Sequence, residues 1–324
     1  SEKAAGCSEV FCSGLFLSAR WFAVSQYDYD GLQVIVLPDK DSAEYCAADL
    51  YNLIEGDRVF FLPDSGKNLE RSNYKSTLGV QRTSAVGKII DHKEGLLVIV
   101  TYPSALDEMI PDSGSIKDSV LKLTQGDDIS HETIVESLFA ADFQRVDFVS
   151  EPGQFAIRGA IVDIFSYSYN NPFRISFFGD EIDSINVFDC NTQLSKEKVS
   201  TAEIYPDIVV EEGECSLARI TDILSDNTLI WLDSSDMYKE KPFFSELERF
   251  SRIYLDQPLS RQNEPSIKFS IAPQPTFNKN FELLTEDIRK RLEEGYRVRI
   301  YGEKQSQLDR LKSILSQNSG IMPE

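Results

Sequence analysis

Short apolar runs rich in β-branched residues alternate with a helical pattern over the first hundred residues. The runs are residues 32–37, 59–62 and 96–101, and the first two flank a stretch, 43–54, in which apolar residues recur at helical spacing. A strand that is apolar on both of its faces must be covered on both, and intervening helices supply that cover. The sequence therefore predicts an α/β fold built on a parallel sheet.

The composition excludes several classes of protein. The 33 Lys and Arg residues against 53 Asp and Glu residues give a net charge of −20, which opposes free-standing binding to nucleic acid because phosphate neutralisation dominates that affinity. The two histidines and five scattered cysteines do not provide the clustered set of about four ligands that structural zinc needs. No apolar run approaches the roughly 20 residues of a membrane span, so we expect no membrane partner.

The cysteines and the ends of the chain indicate its context. An odd number of cysteines without dense spacing is typical of reduced thiols in the cytoplasm. The first three residues are polar, and no signal peptide follows them. The chain begins without Met and stops after a Pro-Glu pair, so we expect a cytoplasmic piece of a longer protein.

Changes of pattern divide the chain into three predicted domains, 1–115, 116–206 and 207–324. In the second domain, a helix at 130–141 with Ser130 as its N-cap precedes short strands separated by turn residues, which predicts an antiparallel α+β domain. These strands are predicted at 154–158, 160–165, 173–178 and 184–188. The third domain returns to an α/β pattern, with strands predicted at 228–232 and 297–301 and helices at 281–294 and 305–315.

A glycine loop near the start has the outline of a phosphate-binding loop without its chemistry. The Walker pattern, G-x-x-x-x-G-K-[ST], needs glycines for close backbone approach to phosphate, lysine for the β- and γ-phosphates and a hydroxyl for Mg²⁺. The residues that define the loop here are Gly14, Leu17, Ser18, Ala19, Arg20 and Trp21. Alanine stands for the second glycine, arginine for the lysine and tryptophan for the hydroxyl residue, so we expect no ATP hydrolysis. Taken by itself, a glycine before an apolar helix is an ordinary loop.

The middle domain holds the most specific pattern. It reads PGQFAIRGAIVDIF at 152–165 and NPFRISFFGDEIDSI at 171–185, followed by Phe188-Asp189 and Thr192-Gln193. The pattern PGxFaxRGxixDiF, a short turn, RixFFxDEIdsI, FD and TQ is characteristic of one family and is matched here without a gap. This stretch closely resembles the UvrB-homology module of the bacterial transcription-repair coupling factor (Mfd) family.

The resemblance implies a fold and a role. It implies the order 1A, 2 and 1B of UvrB-like domains, in which an antiparallel α+β domain 2 is inserted into a helicase-like α/β domain with a degenerate P-loop. Domain 2 would present the surface that UvrB offers to UvrA, the damage-recognition ATPase of nucleotide excision repair, and so recruit UvrA to a stalled RNA polymerase. The family residues implicated in UvrA contact fall on Arg158, Arg174 and Phe178.

The resemblance also implies what lies elsewhere in such a protein. The polymerase-binding domain and the DNA motor that uses ATP and Mg²⁺ lie further along the family's chain. We therefore expect this part to be non-catalytic and to hold no cofactor, with RNA polymerase and DNA as partners only through those other domains. In the resting state the family's own C-terminal domain covers the domain 2 surface, which adds an intramolecular partner.

Strand alternation supports the same surface from the residues themselves. Alternate residues of a strand share a face, so Ile175 and Phe177 suit the core and leave Arg174 and Phe178 on the outer face. Arginines beside an exposed aromatic side chain are typical of an interface anchor. The alternative is that Arg158 and Arg174 pair with acids on a solvated face and that Phe178 belongs to the core. The acids in reach of such pairing are Asp163, Asp180 and Glu181.

Two other functions remain open at this point. A divergent helicase-like ATPase would keep weak nucleotide affinity at the glycine loop. A UvrB-like binder of damaged DNA would use an aromatic hairpin, but residues 62–75 contain one Tyr, whereas base stacking needs several aromatic residues. The nearby basic residues are predicted to lie on a solvated loop; they are Lys67, Arg71, Lys75 and Arg82.

Overall fold

The apolar runs of the sequence form one parallel sheet in the computed structural model. The structure describes residues 9–66, 72–208, 216–255, 265–271, 275–300 and 304–319, with side chains at all of these except 72–76 and 317–319. In the order in which they lie side by side, the strands of this sheet are β17 (Ser266–Lys268), β1 (Glu9–Ser13), β16 (Ser251–Tyr254), β15 (Leu229–Leu232), β2 (Leu32–Val36), β4 (Leu97–Thr101) and β3 (Val59–Phe61). Every neighbouring pair is parallel, so the predicted α/β class is confirmed.

The central strand β2 shows why the sheet needs helices on both faces. All five of its residues are buried. Leu32, Val34 and Val36 enter one apolar cluster, whereas Ile35 enters the cluster on the opposite face. Each face therefore contributes its own apolar surface, and burial of that surface stabilises the fold.

Helices cover the two faces of the sheet. On the face of Ile35, α1 (Ala19–Ser25) contributes Trp21 and α2 (Lys40–Leu53) contributes Leu50. The opposite face is covered by residues of α3 (Ser72–Asp91), α4 (Pro103–Asp107), α5 (Ser113–Ser119) and α7 (Pro242–Glu246). The Asp39 side chain caps α2 by accepting a hydrogen bond from the Ser42 amide over 2.8 Å.

An antiparallel domain is inserted between α5 and β14 (Leu217–Ala218). Its strands and one helix are β6 (Leu121–Thr124), α6 (His131–Ala140), β7 (Gln144–Arg145), β8 (Gln154–Arg158), β9 (Ile161–Ile164), β10 (Phe173–Phe178), β11 (Glu181–Phe188), β12 (Ser195–Val199) and β13 (Thr201–Ile204). Six of them form a sheet in the order β12-β11-β10-β9-β8-β7, which is antiparallel except for the β7–β8 pair. The predicted meander and its helix are therefore confirmed, and Ser130 caps α6 as predicted.

The two chain segments that lead into and out of this domain lie side by side. Strand β5 (Ile110–Pro111) pairs with β14, and β6 pairs with β13. The Tyr205 hydroxyl donates to the Asp91 carboxylate over 2.7 Å, which ties the return segment to the end of α3. The inserted domain therefore joins the α/β layer through a paired neck. The predicted domain boundaries at 115 and 206 remain predictions.

Arg82 corrects one prediction. It is buried within α3, where its guanidinium donates to the carbonyl oxygens of Pro63 (2.7 Å) and Ala105 (3.3 Å) and lies 3.5 Å from a Glu108 oxygen. The prediction of a solvated loop was wrong for this residue because helix α3 turns it towards the strand ends rather than towards water. The loop prediction is also wrong for Lys75, whose backbone belongs to α3, although its side chain lies outside the described residues. Lys67 and Arg71 lie outside the described residues altogether.

The second unit, Ala272–Glu324, contains α8 (Phe281–Glu293) and α9 (Gln305–Ser319), close to their predicted bounds. The strand predicted at 297–301 is wrong over 297–300, which form no strand, while 301 lies outside the described residues. Val298 and Ile300 are exposed there. Alternation of apolar residues suits a strand, but a strand also needs a hydrogen-bonded neighbour, and the described part of this unit offers none.

Candidate partner-binding surface

Strand β10 separates its side chains between the core and the outer face of the domain. Phe173, Ile175 and Phe177 are buried, Arg174 is partly exposed, and Phe178 is 82% exposed. This is the alternation expected from the sequence. The alternative that placed Phe178 in the core is therefore wrong.

A buried carboxylate lies at the centre of the outer face. Asp163 is on β9, directly opposite Ala156 of β8 and Arg174 of β10, and its side chain is 1% exposed. Its oxygens accept hydrogen bonds from Arg174 Nε (2.7 Å) and Nη2 (2.9 Å), and one of them also accepts from Arg158 Nη2. The pairing of both arginines with Asp163, which was one of the alternatives, is thus present. A buried acid with two arginine partners is satisfied in charge and hydrogen bonding.

Arg174 is held by more than this acid. Its guanidinium also donates to the backbone oxygen (3.3 Å) and the side-chain oxygen (3.1 Å) of Gln193, and it lies 4.2 Å from the centroid of the buried Phe188 ring. Hydrogen bonding to Asp163 raises the pKa of Arg174 above its ordinary value. With a side chain 20% exposed, Arg174 is fixed on all but one edge.

Arg158 is held much more loosely. Its one hydrogen bond to the described residues goes to Asp163, and its side chain is 35% exposed. Its guanidinium lies 5.1 Å from the ring centroid of Phe148, which is itself 64% exposed. Arg158 and Phe148 therefore form a cation–π pair that presents both a charge and an apolar ring to the surroundings.

Phe178 stands apart from the two arginines on the same face. It lies four positions further along the extended strand than Arg174, a distance of about 13 Å. The turn that follows it is made by Gly179, whose φ of 66° lies in the left-handed region, and by Asp180. The surface therefore offers a cationic area and an aromatic anchor that are well separated.

A short loop holds Gln193 in place beside Arg174. Asp189 accepts hydrogen bonds from the amides of Asn191 (2.9 Å) and Thr192 (3.0 Å) and pairs with Lys196 over 3.0 Å. The Thr192 amide is the largest cause of a lowered pKa at Asp189, followed by Lys196, and together with the Asn191 amide they bring that pKa from its ordinary value near 3.8 to about 2. The charged carboxylate therefore orders this loop.

We expect a titration to reveal this loop contact. Because the folded-state pKa of Asp189 is depressed, its contribution to stability is complete above the ordinary pKa near 3.8 and is lost as the pH falls towards about 2. The carboxyl ¹³C chemical shift of Asp189 should titrate with a midpoint of about 2, and Lys196→Met should raise that midpoint only partly. A wild-type midpoint at the ordinary value would contradict the loop geometry.

The glycine loop joins β1 to α1. Gly14 has a φ of 76°, and a Cβ built on it would lie 2.1 Å from the carbonyl oxygen of Phe269, next to β17. Arg20 pairs with the buried Asp233 after β15 and lies 5.0 Å from the centroid of the Trp21 ring. Leu17 is exposed with a φ of 49°. Gly14 therefore allows close approach of a neighbouring segment, and the arginine side chain already has an acidic partner.

The described residues hold no cluster of His, Cys, Asp or Glu arranged for a metal ion, and none of their helices is long and apolar enough to cross a bilayer. Sequence reasoning missed Phe148 and Gln193 as parts of the outer face. Phe148 lies outside any strand, so alternation gave no signal for it. Gln193 reaches Arg174 from a loop nineteen positions away, and its residue type alone carried no indication of this contact.

Comparison with known proteins finds one matching domain model and several similar proteins. Residues 121–208 match the model of the UvrB interaction domain. The chain is 29% identical over 204 residues to the transcription-repair-coupling factor of Bacillus subtilis (strain 168), covering 62% of this chain and 17% of that protein. It is 30% identical over 175 residues to that of Haemophilus influenzae (54% of this chain, 15% of that protein) and 26% identical over 265 residues to that of Staphylococcus aureus (strain USA300; 79% and 22%). The chain thus spans less than a quarter of the length of these relatives.

Proposed function

We propose, from the premise that this chain is a UvrB-homology module of the transcription-repair coupling factor type, that it binds UvrA through the outer face of its inserted domain. In this role it is a non-catalytic recruiting module. It mimics the surface of UvrB and so brings UvrA to a stalled RNA polymerase. The polymerase, DNA and the ATP-driven motor would engage other parts of such a protein.

The observation that carries this proposal is the exposure of Phe178 on the same sheet face as Arg158 and Arg174. A phenylalanine side chain that is 82% exposed gains the free energy of apolar burial only when a partner covers it. Aromatic and arginine side chains are the residues most often found as energetic anchors of protein interfaces. Because the chain carries a net charge of −20, a local cationic area is the part of its surface that attracts an acidic partner surface.

A calorimetric titration of the chain with purified UvrA tests the proposal. Arg158→Ala/Arg174→Ala is expected to weaken binding about thirtyfold, because truncating an anchoring arginine typically costs roughly 2 kcal/mol. Arg145→Ala is the matched control. Arg145 is an exposed arginine on the edge strand β7, paired opposite Phe155, and its removal should leave the affinity unchanged.

If the wild type and the double variant bind UvrA with equal affinity and have the same circular dichroism spectrum, the contact lies elsewhere on the domain. A wild-type chain that does not bind UvrA would refute the proposal. A matching loss in the Arg145→Ala control would indicate general charge attraction rather than a defined surface.

The two other candidate functions receive less support. We propose that the loop from Gly14 to Trp21 is a structural connection rather than a nucleotide site, since Arg20 is paired with Asp233 and tryptophan offers no hydroxyl for Mg²⁺. A DNA-binding role would need a basic area, but Arg82 is buried and the chain is strongly acidic. We further propose that the family's C-terminal domain covers the same outer face in a resting state, which would make UvrA binding conditional.

A further inference from the structure

We propose that the two arginines of the outer face have different tasks. Arg158 contacts the partner, whereas Arg174 and the buried Asp163 are positioning residues that hold Arg158 in place. This inference rests on the proposed function, because it assigns roles within the same UvrA-binding surface. It adds Phe148 as a contact residue and predicts which chemical group on the partner is recognised.

The hydrogen bonds of Arg174 leave it little to offer a partner. A guanidinium has five N–H donors. In Arg174, Nε donates to Asp163, Nη2 donates to both Asp163 and Gln193, and Nη1 donates to the Gln193 backbone oxygen. Four of its five donors are therefore used inside the domain, and one face of the group rests on Phe188.

Arg158 presents the opposite arrangement. Among the described residues, it uses one N–H of Nη2 for Asp163. The second N–H of Nη2 can still pair with the N–H of Nε or of Nη1, so one edge with two parallel donors faces an incoming group. Its guanidinium stacks near the exposed ring of Phe148, which limits the directions in which it can point. A side chain that is oriented before binding loses less conformational entropy when the complex forms.

Asp163 cannot touch a partner, because its side chain is 1% exposed. Any effect of this acid on affinity must therefore act through the arginines that it binds. Two guanidinium groups around one carboxylate leave one net positive charge on the surface. Since Arg174 holds Asp163 through two hydrogen bonds, the acid stays fixed while it orients Arg158.

The free edge of Arg158 fits a carboxylate. Two parallel N–H groups match the two oxygens of an Asp or Glu side chain, which is a geometry that a lysine ammonium cannot reproduce. The neighbouring Phe148 ring favours an apolar group beside that carboxylate. We therefore infer that the partner presents an acidic side chain flanked by apolar surface to Arg158 and Phe148, and a separate apolar site to Phe178.

Affinity measurements on combined variants test the division of tasks. Arg158→Ala is expected to weaken UvrA binding about thirtyfold, and Asp163→Asn about tenfold. If Asp163 acts through Arg158, adding Asp163→Asn to Arg158→Ala should change the affinity less than twofold further. Phe178→Ala is the control, because Phe178 lies about 13 Å along the strand from Arg174. The fold-losses of affinity from Phe178→Ala and Asp163→Asn should therefore multiply in the double variant.

Further variants test the role of Arg174 and the chemical group that Arg158 recognises. Arg174→Ala alone should weaken binding about tenfold, yet have less than a twofold further effect in the Arg158→Ala background. Arg158→Lys should lose nearly as much affinity as Arg158→Ala, because a point charge does not give the paired geometry. If Asp163→Asn does not fold, as judged by circular dichroism, Arg174→Lys and Gln193→Asn take its place in the combined variants.

Arginine side-chain NMR provides a readout that a purely structural role would not move. In the free chain, the Nε–H of Arg174 should exchange slowly with solvent, and Asp163→Asn should abolish this protection while Arg158→Ala leaves it intact. On addition of UvrA, the Arg158 Nε–H signal should shift while that of Arg174 stays in place.

The outcomes separate the two proposals. The division of tasks would be overturned if the losses of affinity from Arg158→Ala and Asp163→Asn multiply fully in the double variant. It would also be overturned if UvrA shifts the Nε–H signal of Arg174 but not that of Arg158. Either result would leave the proposed UvrA-binding surface intact. A wild-type chain that does not bind UvrA, or affinity that is unchanged in every variant, would overturn both.

Discussion

Replacing Phe155 with alanine is expected to destabilise the inserted domain by about 3–5 kcal/mol. Phe155 is fully buried on β8, in the apolar cluster between the six-stranded sheet and α6. The lost transfer energy of a large aromatic side chain and the cavity left behind both contribute, because a close-packed interior relaxes only in part. Full burial and a large loss of volume therefore act together at this position.

Phe139→Ala is the matched control. Phe139 belongs to the same aromatic pair, with ring centroids 5.1 Å apart, but it is 52% exposed on α6. Its removal should therefore cost no more than about 1.5 kcal/mol, the scale of an aromatic pair interaction. Hydrogen exchange at the amides of β9 and β10 measures the local free energy of opening for both variants. Equal costs for the two phenylalanines would contradict the described burial.

Gly14→Ala is expected to destabilise the α/β layer by roughly 2–5 kcal/mol. A Cβ at this position would lie 2.1 Å from the Phe269 carbonyl oxygen, a backbone atom whose displacement disturbs the pairing of β17 with β1. To this overpacking cost of about 1–3 kcal/mol is added the cost of about 1–2 kcal/mol for a non-glycine residue in the left-handed region. This prediction gives the glycine a role in packing that requires no phosphate.

Gly95→Ala separates the two causes. Gly95 also has a positive φ, 87°, but a Cβ added to it would meet no atom within 4 Å, so the backbone cost of about 1–2 kcal/mol should remain without the clash. Both tryptophans, Trp21 and Trp231, lie in the apolar cluster beside Phe269, so their fluorescence during urea denaturation reports on this layer. If Gly14→Ala and Gly95→Ala shift the midpoint equally, the close approach of Phe269 does not govern the stability of the loop.

The strands that could be predicted from the sequence are those whose own residues show a clear apolar or alternating pattern. Strand β2 is apolar at every position but one, and alternation along β10 is enough to place Phe178 outside and Phe177 inside. Strands β1 and β16 were missed because each carries polar or charged residues, such as Glu9 and Arg252, whose mutual ion pair becomes visible only once the strands are adjacent. Local pattern alone could not supply that pairing.

For the candidate surface too, local pattern predicted which side chains are exposed but not which residues they contact. The resemblance indicated Arg158, Arg174 and Phe178, and period-two alternation along their strands independently predicted that they point away from the core. That Asp163 is the shared partner of both arginines depends on the register of β9 against β8 and β10, which is a long-range property. The sequence named Asp163 as one of three possible acids, and only the register distinguishes among them.

The paired neck of the inserted domain has an evolutionary consequence. Since β5 lies beside β14 and β6 beside β13, the chain enters and leaves this domain at almost the same point. Such a segment can be exchanged as a cassette, because a host scaffold needs only one site at which its cut ends are already neighbours. The outer face of such a segment can therefore be carried by a different scaffold without any change in how the face itself is built.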